Sequence, residues 1–267
     1  MIITDALASR LEYAEAVDGA GCVDAACRLN RDIGAAVAGV AGGVLTFCGV
    51  DSPLTHATGV GMNGPVTVEE VDAIEHFFLS RGAAVAIDVC PHSDPTLRDI
   101  LSQRGYRITE FSNVVVRELP AGSLPETPES LVIRTAEPDE IELYATTTVR
   151  GFFGRNTMTE EEHTLGRMLF QMPCTTSLLA FLAGEAVGGG GVSMRNGVAS
   201  FFGDATLRDS RGRGIQSGVI VERLRIASGA GCAIAVAGTQ PGSVSQRNYQ
   251  RLGFQVAYTR VTMLREG

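Results

Sequence analysis

The sequence predicts a mixed α/β fold, an α+β arrangement in which helices pack on a sheet of parallel and antiparallel strands, built as two successive domains. Three observations lead there. Short apolar runs bounded by glycine and polar turns alternate with stretches of helical period along the whole chain. Between Val198 and Ala237 an apolar run, a helix-patterned stretch and a second apolar run follow one another, an order that needs a crossover between parallel strands. The short turns at Gly184-Glu185 and Arg195-Asn196-Gly197 suit antiparallel hairpins instead. Finally, one segment recurs. Gly82 to Val89, a short helix and Arg104-Gly105-Tyr106 are answered by Gly231 to Gly238, a short helix and Leu252-Gly253-Phe254, and each copy runs on to an Arg-Glu pair, Arg117-Glu118 and Arg265-Glu266. A period of this size occurring twice indicates a duplicated domain.

In chain order, Ile3 to Leu29 sets Leu7, Leu11, Tyr13 and Ala14 beside Glu12 and Glu15 and reads as one or two amphipathic helices. Ala35–Val40 and Val44–Val50 read as a hairpin turned at Gly42-Gly43. A helix is expected over Val68–Leu79, with Val68, Val71, Ile74, Phe78 and Leu79 on one broad face, Thr67 as N-cap and Glu69 and Glu70 in the first turn. Ala83–Val89 suits a buried strand, Pro95–Gln103 a short helix stopped by Gly105, and Tyr106–Leu119 an alternating outer strand. The prolines and glutamates between Pro120 and Ser130 suit an exposed linker, which sets the domains at residues 1–122 and 130–267.

The second half opens with a strand at Leu131–Arg134, a helix over Asp139–Val149, a loop at Gly151-Phe152-Phe153-Gly154, and a helix from Thr159 to Gln171. Thr159 and Glu162 make a capping-box pattern there. Ser177–Leu182, Val187–Met194 and Val198–Leu207 read as three strands. The apolar residues Ile215, Val219, Ile220, Leu224 and Ala227 define a helix ending at Ser228-Gly229. Cys232–Ala237 is a strand covered on both faces, Ser243–Leu252 a helix, and Phe254–Leu264 a strand that closes the sheet.

With 267 residues, 45% apolar and 19% charged, the chain reads as globular. A formal net charge of −8 argues against a nucleic-acid partner, which calls for surplus Lys and Arg. The longest apolar stretch, Gly34–Val50, is interrupted by glycines and short for a span, so no membrane partner is expected, and no export signal is read at the start. The cysteines form no C-x-x-C pair and lie mostly in apolar runs. They fit buried thiols in a reducing, cytoplasmic compartment, and with the histidines scattered no metal site is expected.

The stretch Arg211-Gly212-Arg213-Gly214-Ile215-Gln216 joins the Val198–Leu207 strand to the next helix. First-turn N–H groups without intrahelical partners, glycines that let the backbone approach, and two arginines make this an anion site. It lacks the lysine and Ser/Thr of a P-loop, which disfavours a nucleotide-binding domain. Downstream comes Ser245, Asn248 and Tyr249-Gln250-Arg251-Leu252-Gly253-Phe254. With these motifs, residues 131–267 resemble the GNAT superfamily of N-acetyltransferases, whose hallmark, Arg/Gln-x-x-Gly-x-Gly/Ala, heads the helix after the fourth strand. Gln216 departs from it at the last position. Residues 1–125 share the resemblance only through the repeat and a coarse element order.

The resemblance implies two tandem GNAT-like acyl-CoA N-acyltransferase domains, a degenerate one at 1–122 and a catalytic one at 130–267, with acetyl-CoA as co-substrate. It implies that two parallel strands splay apart around the pantetheine arm, which main-chain groups of Ala205, Thr206 and Leu207 contact. The amides of Arg211, Gly212, Arg213, Gly214, Ile215 and Gln216 hold the pyrophosphate, and Ser245 and Asn248 lie near the far end of the arm. The corresponding loop of the first half, Gly61 to Thr67, offers no arginine, and Pro65 removes a donor, so no CoA is expected there.

Acyl transfer to an amine needs a free lone pair, a stabilised oxyanion and a proton for the departing thiolate. Tyr249 stands where the superfamily commonly places its general acid, although a tyrosine packing the terminal helix fits the same position. The position matched to the usual base is Ser200; Asp204, of the same strand parity, or a water held by both are the other candidates. No Cys-His pair suggests an acyl-enzyme, so direct attack by a small-molecule or peptide amine is expected, with the Phe152-Phe153 loop as a candidate apolar wall. The rival reading is a non-catalytic acyl-CoA-binding regulatory protein, which would need the anion loop alone.

Overall fold

The structure, a computed structural model, describes residues 2–120 and 122–266. The chain divides into two compact units, residues 1–114 with 257–267, and residues 115–256.

The first unit opens with α1 (Asp5–Leu29), one continuous helix whose N-cap, Thr4, accepts the Leu7 N–H. The hairpin β1 (Ala36–Val40) and β2 (Gly43–Phe47) turns through Ala41 and Gly42, both at positive φ, as a tight two-residue hairpin requires. A short strand, β3 (His56–Thr58), is absent from the sequence reading because three residues carry no resolvable period; it pairs antiparallel with β2 and parallel with β4 (Val85–Val89). Helix α2 (Val68–Leu79) starts at a capping box in which Thr67 Oγ1 accepts the Glu70 N–H and Glu70 accepts the Thr67 N–H. Its buried face is Val71, Ile74, Phe77 and Phe78. Val68 and Leu79, expected on that face, lie exposed at the two ends, where the sheet no longer covers the helix.

Helix α3 (Pro95–Gln103) leads to β5 (Arg107–Glu118), which does not alternate as expected. Its first five residues are exposed, whereas Val114, Val115 and Val116 are buried in succession, because its last residues enter the second unit and are covered on both faces.

In the second unit, β6 (Leu131–Thr135), β7 (Thr175–Leu182), β8 (Glu185–Arg195) and β9 (Val198–Thr206) form an antiparallel series, and β10 (Ile234–Thr239) lies parallel to β9. The end of β5 follows β10 in the order. Helix α4 (Ile141–Phe153) runs on through Phe152 and Phe153, so the expected loop there is the last helical turn, stopped by Gly154 in the left-handed conformation (φ 66). Helix α5 (Glu160–Gln171) starts at the Thr159–Glu162 capping box, α6 (Ile215–Gly229) makes the crossover from β9 to β10, and α7 (Val244–Arg251) is capped by Ser243. Apolar residues of α6, Ile220, Leu224 and Ala227, pack with Leu178, Phe201, Ala235, Tyr249 and Phe254 into one core.

The last strand, β11 (Gln255–Arg265), does not stay with the half of the chain that precedes it. From Ala257 onward it belongs to the first unit, where it pairs antiparallel with β4 in the register Val261 to Val89 and Arg265 to Val85. The compact units therefore divide differently from the expected 1–122 and 130–267. Each copy of the repeat ends in a strand that the division cuts, β5 between Val114 and Val115 and β11 between Val256 and Ala257, which spacing along one chain cannot reveal.

Within the first unit β11 brings a nearly buried arginine. Arg260 pairs with Glu12 (3.3 Å), Glu15 (2.6 Å) and Asp88 (4.0 Å), while Tyr258 donates to Glu12 (2.7 Å) and Thr262 to Asp88 (2.7 Å). Burial pushes the Glu12 carboxyl up, partly offset by Arg260. Against the burial penalty, Arg260, His56 and the Thr262 hydrogen bond hold Asp88 below the ordinary carboxylate range.

Replacing this guanidinium leaves buried carboxylates uncompensated. Arg260→Met, which keeps the volume and removes the charge, should lower unfolding stability by about 3–5 kcal/mol in a urea titration. A second expectation concerns the thiols. Cys22, Cys48, Cys90 and Cys232 are buried, with burial pushing Cys48 and Cys90 up to about 12, whereas Cys27 and Cys174 are exposed. A thiol reagent near neutral pH should label Cys27 and Cys174 in the folded protein and the buried four only after denaturation.

Candidate functional site

The site begins where β9 and β10 stop pairing. Their parallel register runs from Val198 opposite Ile234 to Phe201 opposite Ala237 and ends there, while β9 continues to Thr206 and β10 to Thr239. At this point Gly203 takes a left-handed conformation (φ 65), and the β8–β9 register slips between Gly189 and Gly191. A bulge of this kind bends the strand and re-aims its side chains. Ala205 and Thr206 remain paired to β8, opposite Gly189 and Gly188, and the Leu207 N–H donates to the Val187 carbonyl (2.9 Å). The opposite edge of this part of β9 is left without β10 as a partner. Ser200, by contrast, sits before the divergence, opposite Val236.

Past Leu207 the chain makes a short 3-10 turn and enters α6 with Gly214 as a left-handed N-cap (φ 77). No side chain caps the first turn of α6, in contrast to α2, where Thr67 and Glu70 satisfy each other's backbone. Around Gly212 and Gly214 an added Cβ would meet nothing within 4 Å, so the backbone is open to an approaching group. Arg213 is exposed. Arg211 is used differently from the expectation that its side chain adds charge for a ligand: Nε donates to the Thr206 carbonyl (3.3 Å) and Nη2 to the Gly151 carbonyl (3.0 Å). It ties the loop to the last turn of α4, whose C-terminal carbonyls favour a cation.

Asp204, Gln216, Ser245, Asn248 and Tyr249 converge on the gap between β9 and α7. Gln216 Nε2 donates to Asp204 Oδ2 (3.2 Å) and to Ser245 Oγ (2.8 Å), and Asn248 Nδ2 donates to Gln216 Oε1 (2.8 Å). The Tyr249 hydroxyl donates to Asp204 Oδ2 (2.6 Å) and accepts from Arg223 Nη2 (3.3 Å). Tyr249 is only 1% exposed, and its ring meets Phe254 edge-on at 4.9 Å. It is at once a core residue and the neighbour of the gap. Burial pushes its phenol well above the usual range, and the Asp204 carboxylate adds to the effect against the opposing pull of Arg223.

Arg223 escaped the sequence reading. It is fully buried, forms an ion pair with Asp204, donates to the carbonyls of Gly191 (3.0 Å) and Phe202 (3.3 Å), and lies over the Phe201 ring at 4.5 Å. Its signal was its phase: with Val219 and Ala227 four residues to either side, it stands on the apolar stripe of α6, where a charge has to find a buried partner. The room for it comes from β8. A Cβ at Gly190 would sit 3.2 Å from Asp204 Oδ1 and 3.3 Å from Arg223 Nη1. Asp204, expected as a candidate base, thus accepts from Arg223, Tyr249 and Gln216 together, an arrangement that holds the hydroxyl in place and leaves little free acceptor capacity.

Phe152 and Phe153 are exposed beside the Arg211 anchor and contact one another edge-on. Among the described residues no group of three His, Cys, Asp or Glu is placed to hold a metal ion, and no helix is long and apolar enough to cross a membrane.

No protein-family model matches the sequence, and no curated protein matches it. Solved structures do match. The chain is similar to a GCN5-related N-acetyltransferase from Kribbella flavida, with a TM-score of 0.67 and 18% identity over 92% of this chain and 96% of that one. A GCN5-related N-acetyltransferase from Sphaerobacter thermophilus gives 0.55 and 23% over 69% of this chain and 60% of that one. A tandem GNAT protein from the clavulanic acid biosynthesis pathway gives 0.52 and 15% over 68% and 63%. These likenesses show the mixed α/β fold of the GCN5-related N-acetyltransferases, and this chain has that fold.

Proposed function

We propose that the protein transfers the acetyl group of acetyl-CoA to the amine of a small molecule or peptide, by direct attack, and that residues 130–267 carry the reaction in a cytoplasmic protein. The observation that supports this most is the uncapped N-terminus of α6 next to the unpaired edge of β9. Amides of Arg211 to Gln216 then hold the pyrophosphate, with Arg213 adding charge and Arg211 holding the loop in shape. The free edge at Ala205, Thr206 and Leu207 takes the pantetheine by main-chain hydrogen bonds, and Ser245 and Asn248 flank its far end.

The Tyr249 hydroxyl supplies the proton for the thiolate. Losing that proton leaves a phenolate, and buried Arg223 is the group that offsets its charge, while Asp204 holds the hydroxyl between turnovers. The proton leaving the amine goes to a water at the gap or to Asp204. In the first half the Thr67–Glu70 box occupies two of the backbone donors at the head of α2 and sets the Glu69 and Glu70 carboxylates there, so residues 1–122 act as a degenerate domain that binds no CoA.

A second reading, a non-catalytic acyl-CoA-binding regulatory protein, draws support from the engagement of Tyr249 and Asp204 with buried Arg223. Thioester consumption measured with a panel of primary amines separates the two: release of free CoA dependent on an amine supports transfer, and binding without turnover supports the rival.

Calorimetric titration should give one acetyl-CoA per chain, and Gly214→Asp should abolish it, since the substitution adds a side chain at positive φ and a like charge at the pyrophosphate. Tyr249→Phe should lower turnover by about a hundredfold or more while leaving acetyl-CoA affinity nearly unchanged. An unaltered turnover number would return Tyr249 to a packing role.

A further inference from the structure

We propose that the Gln216 side chain is a strap across the pantetheine slot, and that a CoA thioester enters only by displacing it. The inference rests on the reading that acyl-CoA lies between β9 and α7. One nitrogen, Gln216 Nε2, bonds to Asp204 Oδ2 at 3.2 Å and to Ser245 Oγ at 2.8 Å, so these two oxygens, one on each wall, lie no more than about 6 Å apart. An aliphatic chain passing between two atoms needs about 3.5–4.0 Å to each, or about 7–8 Å in all. With the carboxamide in place the arm cannot pass between Asp204 and Ser245.

The strap is held at both ends. Asn248 donates to its oxygen while its nitrogen reaches the two walls, so a single carboxamide uses its donors and its acceptor on three partners. A pantetheine arm carries amide groups of the same chemistry. On entering, it takes over the hydrogen bonds of Ser245 and Asn248, and the Gln216 side chain swings out from the first turn of α6. The backbone of Gln216 stays in the loop that receives the pyrophosphate. A glycine or alanine at this position removes the bond that draws Ser245 Oγ toward Asp204, so the hydroxyl can rotate away and the walls can part to the width the arm needs. Gln216 thus sets the affinity with which the thioester is admitted, the measured affinity being the intrinsic one reduced by the fraction of molecules in which the strap is out.

The test is calorimetric titration of the full chain and of Gln216→Ala with CoA, acetyl-CoA and ADP, with melting curves of both proteins. Gln216→Ser serves as a second short replacement should the alanine variant fold poorly. ADP reaches the pyrophosphate loop but has no arm. Removing the strap should tighten CoA and acetyl-CoA by about tenfold and leave ADP affinity unchanged. Unchanged or weaker CoA binding in a folded variant would overturn the strap while leaving the CoA site standing. Equal tightening of ADP would overturn it as well, by moving the effect to the loop. If neither protein binds CoA, the acyl-CoA reading itself fails, and the strap with it.

Discussion

A fully buried guanidinium organises the second unit. Arg223 has left water entirely, and such a charge is tolerated only with an ionic partner and hydrogen bonds for its remaining donors. Asp204, the carbonyls of Gly191 and Phe202 and the Tyr249 hydroxyl provide them for its two terminal nitrogens, while Nε is buried without a partner among the described residues. That requirement accounts for features that otherwise look unrelated. A side chain at Gly190 would press on the pair, Gly203 adopts a positive φ where β9 bulges, and Asp204 follows it and meets Arg223 of α6. The strand that bulges beside the arginine is also the strand that parts from β10, so the buried ion pair and the opening of the gap meet at the same residues.

The first unit contains a comparable solution built from other elements. Arg260 on β11 meets Glu12, Glu15 and Asp88, with Tyr258 bonded to Glu12, much as Arg223 meets Asp204 with Tyr249 bonded to it. What differs is the turn that could receive an anion. The head of α2 is closed by its own Thr67 and Glu70, whereas the head of α6 is left open after a glycine-rich loop. Two units of related element order therefore differ in how these two helix starts are capped. The asymmetry follows from a few residues at a helix start rather than from the sheet.

Gln216 shows how a departure from a family pattern acquires a physical meaning. As sequence it is a single mismatch at the end of the Arg211-to-Gln216 stretch. In the structure its carboxamide joins β9 to α7 across the gap and links four of the residues singled out from sequence, Asp204, Ser245, Asn248 and, through Asp204, Tyr249. That bonding, three hydrogen bonds at one carboxamide, ties the two walls of the gap together.

The sequence by itself determined the elements and the polarity of their ends. Capping residues such as Thr67 and Thr159, turn glycines such as Gly42, and the apolar periods of α2 and α6 act within a few residues, and local chemistry is what a linear reading resolves. Asp204, Gln216, Ser245, Asn248 and Tyr249 were singled out from their motifs and the family these resemble, and they meet because β9 and β10 run parallel, so that the chain leaves both strands at the same edge of the sheet. Only the tertiary structure decided which strand β11 pairs with, since its partner β4 lies well over half the chain away and no local signal selects a distant partner. It also decided the role of Arg223, because the helical period puts this charge on the apolar stripe of α6 without naming its partner, and only the fold brings the Asp204 carboxylate of the bulged strand to meet it.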